Sequence, residues 1–338
     1  MTRADFDPAR LRIYLADKFG PSSKHRLERI EGGQSNPTYF VTWGDRDMVL
    51  RKQPRGPILK GAHAVDREYR VQSALYPTDV PVAKPILFEA DAGILGTPFY
   101  LMERVEGRVF SYCALPEAMP AERHALWMGL ARAMAAMHKI DPADVGLSDY
   151  GRPGNYFERQ ILRWSRQWAG SPHEPIPDLD VIGDWLRANL PPDDGAVSLA
   201  HGDFRMGNVI FHPTDSRVVA ILDWELSTLG HPLADLAFCA LAWHTAPDEY
   251  GGILGQELEA GCLPDEADFL ETYYQTNPGA GELTRFHKVF ALFRFAVIWV
   301  GIADRIATGT AAGADAGQHR GLAAKLARRG VEVMEGVH

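Results

Sequence analysis

No stretch of this 338-residue sequence is long and apolar enough to read as a membrane-spanning helix. The most apolar run, residues 289 to 303, is broken by Arg294 and falls short of the ~18 apolar residues such a helix needs, so it reads as a buried core helix. The first residues, Met1 to Asp7, contain no apolar core of a secretory leader. Cysteine is scarce: three residues, Cys113, Cys239 and Cys262, lie far apart and form no Cys-x-x-Cys pair. That excludes a disulfide framework and a thiolate metal site and fits a reducing cytoplasm. A basic surplus is also missing. The 35 Lys and Arg are outnumbered by 44 Asp and Glu, for a net charge of -9, which argues against a nucleic-acid partner. Neither nucleic acid nor membrane is therefore an expected partner.

The rest of the composition is that of a globular protein with a sizeable core. Leu11, Leu15 and Phe19 recur at helical spacing over residues 8 to 19. Residues 26–31, 38–43 and 48–52 read as strands, the last two joined by a tight turn at Gly44-Asp45-Arg46. A helix over 64–75 and strands over 84–89 and 99–105 complete a β-rich first third. Helices are expected after Gly107, over 121–138, 156–169, 179–189, 233–245, 265–275 and 283–303. In the first of these, Leu126, Leu130, Met134 and Met137 share one face. Residues 308–317, rich in Ala and Gly, read as a loop.

One β-rich island interrupts the helices, and it is the most informative part of the chain. HGDFRMGNVIF, His201 to Phe211, is followed by VVAILDWE, Val218 to Glu225. A short strand delivers His201-Gly202-Asp203 into a loop, and Asn208 follows Asp203 by five positions. The strands 209–211 and 218–222 form a hairpin that ends at Asp223. Asp203, Asn208 and Asp223 thus gather oxygen donors near one end of a hairpin. Such a set suits a hard cation such as Mg²⁺, with a loop carboxylate placed to orient a hydroxyl and accept its proton. The competing possibility is ordinary turn residues, since Asp and Asn favour loops.

HGDFRMGN resembles the catalytic loop of the aminoglycoside phosphotransferase and choline kinase group, a small-molecule branch of the protein-kinase-like fold. The resemblance extends from about residue 24 to 330. It is nearest to the aminoglycoside phosphotransferase-like subfamily related to the kinase-like domain of acyl-CoA dehydrogenase fusions. It implies an α+β, two-lobed protein-kinase-like fold. Residues 1–105 would form a nucleotide-binding lobe with a five-stranded antiparallel sheet, and residues 106–338 a mainly helical catalytic and acceptor-binding lobe. It also implies ATP and Mg²⁺ as cofactors, Asp203 as catalytic base, and Asn208 and Asp223 as metal ligands. His201 is expected to brace the loop, and Asp235 to pin it. The pattern has Asp where this chain has His231.

In the first lobe, Gly32-Gly33-Gln34-Ser35-Asn36 sits between two strands, where backbone amides of Gly33 to Asn36 can cradle phosphate oxygens. The cation expected on the third strand is Arg51 or Lys52, which face opposite ways. Aligning Met48-Val49-Leu50-Arg51 with Val-Ala-Ile-Lys puts Leu50 in the core and selects Arg51, although an Arg for Lys changes the geometry. Glu68 resembles the helix glutamate that pairs with this cation; otherwise it is a solvated helix charge. Backbone groups of Glu103 to Val105 are expected at the adenine edge.

The acceptor is a small-molecule alcohol that these motifs do not name: an aminoglycoside, another alcohol or a hydroxyacyl compound. The acidic surplus permits a site for a polycation. Arg205, inside the catalytic loop, points instead to an anionic acceptor or to an ion pair within the loop. Trp164, Trp168, Tyr273, Tyr274 and Trp299 are candidate pocket aromatics. Two other readings compete with a kinase: a catalytically inactive nucleotide-binding module, and a metal-dependent hydrolase using His201, Asp203, Asp223 and His231. No Ala-Pro-Glu segment follows Asp223, which argues against a protein kinase.

Overall fold

A computed structural model describes residues 4–30, 36–56, 63–152, 154–172, 174–308 and 316–337. Two units are distinguished. The first comprises Met1–Arg108, Val145–Leu147 and Val209–Ser227, and the second Val109–Asp144, Ser148–Asn208 and Thr228–His338.

In the first unit, helix α1 (Pro8–Phe19) starts where the Asp7 carboxylate accepts from the Ala9 amide and Pro8 supplies a preset φ. Strands β1 (His25–Arg29), β2 (Thr38–Trp43) and β3 (Arg46–Lys52) follow, then α2 (Val65–Leu75), β4 (Pro85–Glu89), the single turn α3 (Ala92–Leu95) and β5 (Phe99–Glu103). They build an antiparallel sheet in the order β1-β2-β3-β5-β4. Two-residue alternation decides which face each side chain takes. Tyr39, Val41 and Trp43 of β2, with Met48 and Leu50 of β3, bury one face against Leu11 and Leu15 of α1. Val49 and Arg51 take the opposite face.

The second unit contains α4 (Pro120–Lys139), α5 (Tyr156–Ala169), α6 (Pro177–Ala188) and the short strand β6 (Ser198–Ala200). Two further strands, β7 (Val209–Phe211) and β8 (Val218–Ile221), pair antiparallel and belong to the first unit. The second unit resumes with β9 (Thr228–Gly230), α7 (Pro232–Ala240), α8 (Leu258–Gly261), α9 (Glu266–Thr276), α10 (Arg285–Ala307) and α11 (Ala316–Glu335). Leu126, Leu130, Met134 and Met137 of α4 are fully buried, as their spacing implied. The apolar stretch around Arg294 is α10, with Val289, Leu292, Ala296 and Val300 buried.

The structure departs from the sequence reading at α3, β9 and above all α11. Few large apolar residues mark α11; it docks through Ala323, Leu326, Ala327, Val331 and Val333 against α10 and α6. The expected loop over 308–317 narrows to Thr308 and the start of α11, with residues 309–315 outside the described set. Among the described residues no helix is long and apolar enough to cross a membrane.

Candidate active site

In the first unit, the β3 register settles which cation faces where. Arg51 Nε lies 2.7 Å from Glu68 Oε2, and its Nη2 donates to Asp223 Oδ1 at 2.7 Å, with Glu225 Oε2 at 3.8 Å. Lys52 points the other way, fully buried, and donates to Asp5 Oδ2 at 2.8 Å. Glu68 is 1 % exposed. The Asn36 amide nitrogen donates to its Oε1 at 2.6 Å and the Tyr100 hydroxyl to its Oε2 at 3.0 Å. Burial opposes the charge on Arg51, but Glu68, Asp223 and Glu225 outweigh it and push its pKa up. Burial likewise pushes the Tyr100 hydroxyl up, aided by the adjacent Glu68, so it remains a donor.

Asp223 is held in the left-handed region, φ 62° and ψ 58°, which is uncommon outside glycine and concentrates at functional sites. Its Oδ1 is bound to Arg51, and its Oδ2 has no protein donor among the described residues.

Of the expected phosphate loop, Gly33, Gln34 and Ser35 lie outside the described residues. Asn36 is described and its side chain is turned inward: Nδ2 to Glu68 and Oδ1 to His63 Nδ1 at 3.1 Å. At the expected hinge, the Glu103 amide donates to Lys84 O and the Arg104 amide to Asp47 O. Among the described residues Val105 has no backbone partner for its amide.

The second unit holds the other half of the motif. Asn208 Nδ2 donates to the Asp203 carbonyl at 2.8 Å and to Asp203 Oδ2 at 2.7 Å. That commits the amide nitrogen and leaves Oδ1 as the oxygen Asn208 can offer a cation. His201 is fully buried, and its Nδ1 accepts from the Asp203 amide at 3.2 Å. Gly202 adopts φ 85°, a conformation that favours glycine. Asp235, 1 % exposed, accepts from the amides of His201 and Gly202 and lies 3.3 Å from His138 Nε2. Burial raises its pKa, but these donors prevail and hold it below the ordinary carboxylate range. Arg294 of α10, buried mid-helix, donates to the Gly202 carbonyl. The charge that interrupts the apolar run therefore braces the loop that carries Asp203 and Asn208.

Arg205 Nε lies 3.5 Å from Asp203 Oδ2, and the guanidinium sits over the Tyr250 ring at 5.5 Å. It opens on a cavity of about 320 Å³ in the second unit. The aromatic walls are Tyr112, Trp127, Phe238, Tyr250 and Phe295, and no described lining residue is a carboxylate. None of the five aromatics proposed from sequence lines it. Tyr273, for example, is a core residue bonded to His138. Helical spacing alone does not tell a core aromatic from a cavity aromatic.

The hydrolase reading loses its histidines. The His201 ring is committed to the loop, and His231 caps α7, its Nδ1 accepting from the Leu233 amide while Nε2 faces Asp194 at 3.2 Å. Among the described residues no group of three His, Cys, Asp or Glu is arranged to hold a metal. In the first unit the Asp223 carboxylate, and in the second the Asn208 amide oxygen, are each the kind of oxygen donor that Mg²⁺ prefers.

A five-stranded antiparallel sheet with a helix, followed by a mainly helical unit carrying Asp203 and Asn208 on one loop, defines the protein-kinase-like fold. The profile of the phosphotransferase enzyme family matches residues 26–271, and the chain belongs to that family. A crystal structure from Ralstonia eutropha JMP134, provisionally named an aminoglycoside phosphotransferase, is 41 % identical with TM-score 0.87, covering 98 % of this chain and 99 % of that one. A thermostable mutant of the aminoglycoside phosphotransferase APH(4)-Ia, in complex with AMP-PNP and hygromycin B, shares the fold at 16 % identity. Its TM-score is 0.62, with 94 % of this chain and 98 % of that one covered. Acyl-CoA dehydrogenase family member 11 of Gallus gallus is 39 % identical over 322 residues, 93 % of this chain and 41 % of that protein. The chain thus spans about two fifths of the length of such curated relatives.

Proposed function

We propose that the protein transfers the γ-phosphoryl group of ATP to a hydroxyl of a small molecule, using Mg²⁺. The observation that carries this reading is the pair of committed networks: Arg51 bridging Glu68 and Asp223, and Asn208 locked onto Asp203. Arg51 would bind the ATP phosphates, held in place by Glu68. Asp223 and the Asn208 amide oxygen would hold the metal, which when bound neutralises the phosphate charge. Asp203 orients the acceptor hydroxyl and takes its proton. Its own carboxylate is oriented by Asn208, and its loop by His201, Asp235 and Arg294. The backbone amides of Gly33, Gln34, Ser35 and Asn36 are proposed phosphate ligands, and backbone groups of Glu103 to Val105 the adenine contact.

The cavity beside Asp203 favours an acceptor with an apolar body and a neutral or acidic polar group. Its one cation, Arg205, and its lack of described carboxylates oppose a polyamine. ADP release is to be measured with Mg-ATP across aminoglycosides, choline-like alcohols, sugars and hydroxyacyl compounds. Turnover with a member of the panel, abolished in Asp203→Ala while ATP binding persists, supports the reading. Equal turnover in Asp203→Ala would sink it. Mg-ATP binding with no turnover on any alcohol would favour an inactive nucleotide-binding module.

A further inference from the structure

The second unit has another and larger cavity, of about 750 Å³, that shares no lining residue with the one beside Arg205. Three helices begin on it. Asn155, Tyr156 and Phe157 bring the start of α5, His231 and Leu233 the start of α7, and Thr284 and His287 the start of α10. These helices have 14, 9 and 23 residues. Each carries partial positive charge and unpaired first-turn amides at its N-terminus. Side-chain caps meet only part of that demand: Asn155 Oδ1 takes the Glu158 amide and His231 Nδ1 the Leu233 amide.

An independent group points to a ligand in the same place. His287 is 6 % exposed and lines the cavity. Its Nδ1 accepts from the Thr284 amide at 3.0 Å, so a neutral ring carries its proton on Nε2. Nε2 has no protein acceptor among the described residues. The ring is neutral because burial, then the neighbouring His231, push its pKa down to about 4. His231 itself is occupied by Asp194, and its ring stands 6.1 Å from His287 and 5.0 Å from Phe157. The floor therefore presents a donor without a partner, helix N-termini and aromatic surface. The exposed rim has the opposite character. Asp149, Asp193, Asp194 and Glu282 line it, against Arg152 and the half-buried Arg159. Asp193 and Asp194 also accept from the amides of Gly195 and Ala196.

We infer that this cavity binds a small zwitterion with an apolar body: a carboxylate seated on the floor against His287 and the helix starts, an ammonium at the acidic rim. An aromatic amino acid has that chemistry. The size is within the range of small-molecule pockets. His231, where the family pattern implies Asp, contributes an aromatic wall and faces Asp194, so the ammonium is received among the other rim carboxylates, Asp193 and Glu282 beside Asp149.

Isothermal titration of the full chain with L-phenylalanine tests this. 3-Phenylpropionate lacks the ammonium and L-phenylalaninamide lacks the carboxylate. L-Phenylalanine is expected to bind the parent and Asp203→Asn with the same Kd, and both deletion probes at least about tenfold more weakly, as loss of one charge-assisted contact implies. His287→Phe should weaken L-phenylalanine by a similar factor. Because His287 also caps α10, the exposed pair Asp193→Asn with Glu282→Gln gives a second reading. It should weaken L-phenylalanine and leave 3-phenylpropionate unchanged. Absence of binding by the parent at millimolar concentrations overturns the inference. So does loss of binding in Asp203→Asn, which would place the ligand at the catalytic loop, or unchanged affinity in both rim and floor variants.

Discussion

Replacing Arg51 by Met separates what this cation does for stability from what it does for chemistry. Glu68 is 1 % exposed and faces Arg51 at 2.7 Å. Without the guanidinium, Asn36 and Tyr100 are the remaining donors to a buried carboxylate. Breaking a buried pair from one side costs about 3–5 kcal/mol, because an uncompensated charge is left behind. Burial already pushes the Glu68 carboxyl up, and loss of Arg51 removes the charge that chiefly opposes this, so protonation of Glu68 offsets part of the loss in Arg51→Met. Adding Glu68→Gln removes the stranded charge and should restore most of the stability. It should not restore activity, since no cation then meets the phosphates; kcat/KM is expected to stay roughly 10²–10³-fold down. Arg51→Lys keeps the charge but lacks the planar fork that reaches Glu68 and Asp223 together, so it should fall between the two. Thermal unfolding and ADP release on the four proteins provide the readout. A single Arg51→Met variant as stable as the parent, or a double variant with parental turnover, would refute the reasoning.

Acid should destabilise the second unit through His287. Its folded pKa of about 4 lies below the ordinary value of 6.5, so between those values the unfolded chain binds a proton the folded chain does not. Stability is then complete above about pH 6.5 and falls by about 3 kcal/mol by pH 4, a slope that His287→Phe should flatten. A parent whose unfolding temperature is flat across that window would contradict this. Asp235→Asn should cost about 3 kcal/mol, since it removes the charge that receives the His201 and Gly202 amides, and should lower kcat more than it raises KM for ATP. An Asp235→Asn enzyme with unchanged kcat would show that the loop needs no such anchor.

Much of this was legible in the sequence because it is local. Two-residue alternation marked β2 and β3 and put Arg51 and Lys52 on opposite faces, and the match to Val-Ala-Ile-Lys selected Arg51. The spacing of Asp203 and Asn208 gave a contact that is closed within five residues. What remained hidden depends on distant partners. Arg51 and Asp223 are 172 positions apart, and Arg294 reaches Gly202 across 92. No periodicity marks Tyr100 as the donor to Glu68, or the Asn36 side chain as a buried brace. Helix α11 escaped because its contact face is largely alanine and its few larger apolar residues are widely spaced. The cavity beside Arg205 was invisible for a related reason: its aromatics come from separate stretches of chain, and Tyr250 enters through a left-handed φ of 76° that no local pattern announces.

The central claim is that Asn208 and Asp223 serve one divalent ion on the ATP phosphates, with Asp203 acting on the acceptor. A crystal structure of the protein with Mn²⁺ and AMP-PNP, phased for manganese anomalous scattering, tests it directly. The expected result is a metal peak within roughly 2.0–2.3 Å of Asn208 Oδ1 and an Asp223 carboxylate oxygen, in contact with the nucleotide phosphates. A nucleotide-bound metal that touches neither residue would contradict the account.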